Sequence, residues 1–302
     1  MVKIVNPKIG DTIFDPFVGS GGFLVESFDY IQEHTENIGV KEWNILQNKT
    51  FFGQEKKPLP YLIGTMNMIL HHILVPSLTR TNTFMEDIHN VPESSKMSVI
   101  LTNPPFGAVE HTSVQNNFPI PIAATEGLAI QYVMKKLKNG GRCGIILPEG
   151  QILFGGGTFK KIRQELLEKF DVHSIISLPK GAFAQMGAGV KTNLIFFDKI
   201  GPTKKIWFGE VQGNFTRTQT IQAKDLDEIY TLWAKRAVSD KSWTLSLDEI
   251  KKADYSLSPQ NPKLIKNIEI AKTEYELVAS IQDNLKEAEK IADDLKKMIY
   301  GN

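Results

Sequence analysis

Short apolar runs alternate with stretches of helical periodicity through the first two hundred residues. Runs at 12–15, 50–53, 98–102, 143–147, 173–177 and 193–198 predict strands, with a weaker one at 82–84. Between them, apolar positions three and four apart predict helices over 22–33, 60–74, 125–137 and 158–170. Thr158 follows three glycines, Gly155 to Gly157, and is expected to cap the last of these helices through its hydroxyl. Strands alternating with helices argue for βαβ units and a doubly wound, mostly parallel α/β sheet. In such sheets ligands bind beyond the carboxyl ends of the strands.

The pattern changes after Lys199. Residues 204–211 read as one more strand and 224–237 as a helix, and Pro259 and Pro262 then mark a break. A long, highly charged helix is expected to follow. Its apolar stripe runs through Leu264, Ile268, Ala271, Tyr275, Val278, Ile281, Leu285, Ala288, Ala292, Leu295 and Ile299. Such a helix needs something to lie against, either its own domain or a partner subunit, and the narrow stripe favours the partner. The expected organisation is a main domain over 1–199, a small extension over 200–262 and a partner-packing helix over 263–302.

Composition narrows the class. With 302 residues and 41% hydrophobic content the chain can bury a sizeable core. No apolar run reaches the length of a membrane span and no signal pattern opens the chain, so a cytoplasmic protein is expected. The single cysteine, Cys143, sits in an apolar run; it excludes a disulfide framework and reads as a buried strand thiol. No metal site is expected. His71-His72 lies in an amphipathic helix and is expected to pack, and no Lys-Ser/Thr follows the glycine triplet as a phosphate cradle would require. Lys and Arg (35) almost balance Asp and Glu (34), so a nucleic-acid substrate would need segregated charge or a partner to share the grip.

Three segments carry candidate chemistry. At the end of the first strand, Asp15-Pro-Phe-Val-Gly-Ser-Gly-Gly-Phe-Leu24 is a glycine-rich turn that lets backbone approach a ligand closely. Gly53-Gln-Glu55 closes the second strand with an acid able to accept from both hydroxyls of a ribose. Asn103-Pro104-Pro105-Phe106 directly follows the fourth apolar run. Its prolines hold the segment stiff, so the Asn103 side-chain oxygen and the Pro104 carbonyl can both accept from one planar amino group. That leaves the amino lone pair freer to attack a methyl donor, while Phe106 offers a face for a flipped base.

In this order the motifs resemble the amino-group DNA methyltransferases, and more narrowly the modification subunit of type I restriction-modification systems. Met66-Asn67-Met-Ile-Leu-His71, Gly140-Gly-Arg142, Leu147-Pro148-Glu-Gly150, Leu178-Pro179 and Val190-Lys-Thr192 extend the likeness over nearly the whole chain. The resemblance implies a Rossmann-like, seven-stranded S-adenosylmethionine-dependent methyltransferase sheet with a C-terminal helical extension. It implies an enzyme that methylates N6 of adenine in DNA. Asp15, Phe17, Gly19, Gly21 and Phe23 would lie at the methionine end of the cofactor, Glu55 at its ribose, and Asn82 at its adenine, with Asp87 a second candidate. Asn103, Pro104, Pro105 and Phe106 would bind the target base, and residues 119–123 would form part of the substrate-facing wall. The family has an upstream cofactor-closing segment and an N-terminal helical domain, and Met1 falls just after them, so a chain lacking both is expected. Ser98 stands where the family has an acid. Expected partners are DNA, a specificity subunit and a restriction subunit. An RNA or protein amino-group methyltransferase and an inactive scaffold subunit are the alternatives.

Overall fold

The computed structural model describes residues 1–184, 189–262, 278, 281–286, 288–289 and 291–292. In chain order, α1 (Val2–Val5) leads to β1 (Ile13–Asp15), α2 (Gly22–Glu33), α3 (Val40–Asn48), β2 (Phe51–Glu55) and α4 (Pro58–Leu70). Next come β3 (Ser77–Arg80), β4 (Met97–Thr102), α5 (Thr112–Gln115), α6 (Thr125–Lys136) and β5 (Leu137–Pro148). Helices α7 (Gln151–Phe154) and α8 (Thr158–Lys169) precede β6 (Asp171–Leu178), β7 (Thr192–Asp198) and β8 (Lys205–Glu210). The unit closes with α9 (Asp227–Ala234), β9 (Ser242–Ser246) and α10 (Leu247–Lys252).

Among the described residues one sheet of nine strands runs in the order β3-β2-β1-β4-β5-β7-β6-β8-β9. Strand β7 is antiparallel to both β5 and β6, and β9 is antiparallel to β8. The remaining pairings are parallel. Alternation along the strands divides the core between the two faces. Phe14, Ile100, Ile145, Ile175 and Ile195 join one cluster, while their neighbours Ile13, Leu101, Ile146, Ile176 and Phe196 join the other. Each fully buried side chain of this size contributes roughly 1.5–3 kcal/mol.

Several expectations are corrected. The sheet has nine strands rather than seven, because β8 and β9 pair onto its β6 edge. Residues 83–85 form a 3-10 turn, not a strand; the strand lies earlier, at β3, whose Ser-Leu-Thr-Arg sequence is half-exposed at the sheet edge and shows no apolar run. Thr158 is the first helical residue of α8. The cap position falls to Gly157, at φ +58°, and no side chain caps the helix. The 224–237 helix divides into a 3-10 turn (Ala223–Leu226) and α9. His71 and His72 do not pack. Helix α4 ends at Leu70, and both imidazoles are exposed, His71 lying 3.8 Å from Asp29.

Cys143 is buried, and burial pushes its thiol up. Residues 1–259 form one compact unit and 260–302 another. Leu264, Ile268, Ala271, Tyr275, Leu295 and Ile299 of the expected stripe lie outside the described residues. Val278, Ile281, Leu285, Ala288 and Ala292 are helical and exposed. Among the described residues no helix is long and apolar enough to cross a membrane.

Candidate active site

The three motifs end adjacent strands, β2, β1 and β4, so the sheet order brings them to one edge. After β1 the chain turns through Gly19 (φ +52°) and Gly21 (φ +80°), conformations that a side chain would strain. Gly21 caps α2, and its amide donates to Val18 O at 2.8 Å. Helix α4 supports this turn from beneath. A Cβ on Gly64 would stand 2.6 Å from Gly19 O, and Asn67 Nδ2 donates to Ser20 O at 2.9 Å.

Asp15 is buried at the root of the turn. Its Oδ1 accepts from Phe17 N at 3.0 Å and from the Thr102 hydroxyl at 2.6 Å. Burial pushes its carboxyl up to about 7 against those two hydrogen bonds, with the Glu55 charge adding to the rise. Glu55 folds back over the turn, Oε2 accepting from Gly19 N at 3.1 Å and Oε1 from Lys57 N at 2.8 Å. Phe17 packs on Phe84 with ring centroids 5.2 Å apart, and Thr83 donates to Pro16 O at 2.5 Å. Asn82 Oδ1 accepts from Phe84 N at 3.3 Å. Asp87 is exposed and bonded to His89 N and Nδ1, which hold its carboxyl below the usual range. Phe23 is half-buried against the second core cluster.

After β4, Asn103 to Phe106 enter a cavity of about 750 Å³ whose far wall is formed by residues 148–152, Phe159 and Phe183. Pro104 is buried, Pro105 exposed and Phe106 half-buried. Asn103 Oδ1 is buried and accepts no hydrogen bond from the described residues. An unmet buried acceptor costs about 1–3 kcal/mol, so the position is poised for a donor. Of the described residues lining the cavity none is cationic, and two are carboxylates, Glu126 and Glu149. Glu149 Oε2 accepts from Asn193 Nδ2 at 2.7 Å and its Oε1 from the Ser258 hydroxyl. The proposed cofactor residues Asp15, Gly19 and Glu55 do not line this cavity; the Asp15–Thr102 bond connects the two places.

Sequence reasoning missed Thr102, Glu126, Glu149 and a buried network beside β2. There Tyr132 donates to Glu86 at 2.5 Å, and Lys136 donates to Glu86 at 2.9 Å. Burial and Glu86 together push the Tyr132 phenol up. Of these, only Glu149 had any signal, as part of the resemblance segment Leu147-Pro148-Glu-Gly150, which gave it no role.

The sheet order β3-β2-β1-β4-β5-β7-β6 with β7 reversed carries a glycine turn after β1 and Asn-Pro-Pro-Phe after β4, the arrangement that the resemblance to amino-group methyltransferases implies. The chain matches the N-6 DNA Methylase family over residues 1–271 and belongs to it. It is 32% identical over 314 residues to the type I restriction enzyme EcoEI methylase subunit of Escherichia coli, covering 99% of this chain and 62% of that one. To the EcoKI methylase subunit of Escherichia coli strain K12 it is 30% identical, over 66% of this chain and 38% of the relative. A solved structure concerned with complex assembly and conformational transition of the type I R-M system superposes with a TM-score of 0.81 at 38% identity. That match covers 100% of this chain and 64% of the other. The chain therefore spans less than two thirds of these relatives.

Proposed function

We propose that this chain carries the catalytic domain of a DNA methyltransferase acting on N6 of adenine, as the modification subunit of a type I restriction-modification system. The orphaned Asn103 Oδ1, buried at the carboxyl end of β4 in an acceptor-rich cavity, carries this reading. An adenine extruded from duplex DNA offers an amino group whose two hydrogens suit Asn103 Oδ1 and the Pro104 carbonyl. Phe106 gives the ring a face, worth about 1–3 kcal/mol in comparable stacking.

When bound, S-adenosylmethionine supplies an electrophilic methyl group on a sulfonium. Asp15, Phe17, Gly19, Gly21 and Phe23 would hold its methionine end, Glu55 its ribose and Asn82 its adenine, with Asp87 as second candidate. Glu55 fits a ribose diol, since each of its oxygens takes one amide and keeps a lone pair for a hydroxyl. Asn103 and Pro104 draw the amino hydrogens aside and hold the nitrogen lone pair in line. These residues would present the nitrogen lone pair toward the place where the methyl donor would be held, and the proton lost from nitrogen would pass to solvent. Rate enhancement comes mainly from this positioning.

DNA, a specificity subunit and a restriction subunit are the proposed partners. A net charge of +1 suits a phosphate grip shared among subunits. The exposed Val278, Ile281 and Leu285 fit a partner-packing role for the second unit. Calorimetric titration with S-adenosylmethionine tests the reading. Glu55→Ala should abolish binding and Asn103→Ala should spare it while stopping methyl transfer to unmethylated DNA. Wild-type protein that binds no cofactor at millimolar concentration would sink the proposal.

A further inference from the structure

We infer that the first turn of α6 sets the height of the catalytic loop, with Thr125 and Glu126 as positioning residues for Asn103. The inference rests on the methyltransferase reading above.

A loop holding two adjacent prolines lacks two backbone donors, and its remaining polar groups need partners from elsewhere. Helix α6 supplies them. The Thr125 hydroxyl lies 3.1 Å from Pro105 O and 3.2 Å from Ala108 O, and the Thr125 amide donates to Ala108 O at 3.1 Å. Gly107, at φ +66°, donates its amide to Glu126 Oε1 at 2.5 Å. Further along the helix, Gln131 exchanges hydrogen bonds of 2.9 Å with both the amide and the carbonyl of Ile120, fixing the returning arm of the loop.

The chemistry of Glu126 separates this role from ordinary helix capping. An acid in a first helical turn gains from the helix dipole while solvated, yet this one is only 8% exposed and accepts from a loop amide nineteen residues away. Burying a carboxyl group is costly, and packing alone would be better served by an apolar residue. A charge-assisted bond to Gly107 offsets part of that cost and holds the loop more firmly than a neutral acceptor. Glu126 also lines the same cavity as Asn103. A shift of the loop would carry Asn103 Oδ1 away from the amino nitrogen, with no change at the cofactor turn.

The test uses the full chain with Glu126→Ala, Glu126→Gln and Thr125→Val. It measures hydrogen exchange at residues 106–108, calorimetric affinity for S-adenosylmethionine, and methyl transfer from tritiated cofactor to unmethylated phage DNA. In Glu126→Ala the loop amides should exchange about tenfold faster or more, and kcat should fall by about tenfold or more, as loss of a charged hydrogen bond implies. Cofactor affinity should stay within about twofold, the level of a site with no shared partner. Thr125→Val should act in the same direction. Glu126→Gln, which keeps a neutral oxygen for the Gly107 amide, should recover part of both losses and fall between Glu126→Ala and the wild type. Unchanged exchange and kcat in Glu126→Ala would overturn the inference. So would a cofactor affinity that falls in step with kcat, since the side chain would then merely support the domain. A wild type that binds cofactor but transfers no methyl to DNA would remove the reaction reading instead, and the exchange comparison would then decide the positioning role by itself.

Discussion

Asp15 joins the two halves of the site and bears a measurable signature. Its carboxyl is held up to about 7 when folded, against an ordinary value of 3.8. Across that window the folded state binds more protons than the unfolded one, so this group's contribution to stability falls as pH rises to about 7 and then levels. Asp15→Asn keeps an oxygen for Phe17 and Thr102 and removes the titration. The variant should therefore outlast the wild type at pH 8, by on the order of a few kcal/mol, and the gap should close toward pH 4. Thermal melts of both proteins across that range check it. His173 slopes the opposite way, because burial lowers it from 6.5 to about 4 and its contribution grows as pH rises between those values. The difference between the two proteins, rather than either curve, isolates Asp15. Asp15 itself was legible in the sequence because its motif is contiguous. Thr125 and Glu126 were not: they reach the loop across a bend, and no periodicity marks a contact made by one hydroxyl and one carboxylate.

Among the elements, α4 offers the sharpest opposition of effects. Alanine favours a helix over glycine by about 1 kcal/mol, so helix propensity alone predicts that Gly64→Ala stabilises the protein. The 2.6 Å approach to Gly19 O predicts the reverse. Backbone does not yield easily, and the clash should cost about 1–3 kcal/mol and weaken cofactor binding at least about tenfold, read by melting and calorimetry. Arg163 is the counterpart at the far wall of the cavity. It is 1% exposed, and its guanidinium reaches the carbonyls of Gln151, Ile152, Gly155, Asp254 and Tyr255, binding α7 and the turn after α10 to α8. Arg163→Leu should lower stability by on the order of 3 kcal/mol, and a melt shows it directly. Strands buried on both faces, such as β4, β5 and β7, were legible from their apolar runs. Strand β3 was not, because an edge strand with Thr79 and Arg80 exposed has no apolar run to read.

At the scale of the molecule, most of the sheet was readable, including β8 in the run at 204–211, whereas the final strand β9 was not. Strands β8 and β9 continue the sheet beyond β6, and β9 follows a turn through Arg236 at φ +49° that local sequence does not advertise. Residues 1–259 form their own compact unit. A chain ending at Pro262 should keep its melting temperature within a few degrees and its cofactor affinity within about twofold, since distant sites act independently. If the second unit packs on the proposed specificity subunit, the shortened chain should fail to co-purify with it while the full chain does.

On the proposed methyltransferase reading, the hydrogen bond from Thr102 to Asp15 couples the uptake of cofactor and DNA. The bond ties the end of β4 to the turn after β1, so a ligand held at one place would favour the bound position of the other. Occupancy of one place thus lowers the entropic toll at the other, a heterotropic cooperativity that requires no domain to move. Thermodynamic reciprocity makes the effect symmetrical: cofactor should tighten DNA by the same factor by which DNA tightens cofactor, and Thr102→Val should bring both factors toward unity together.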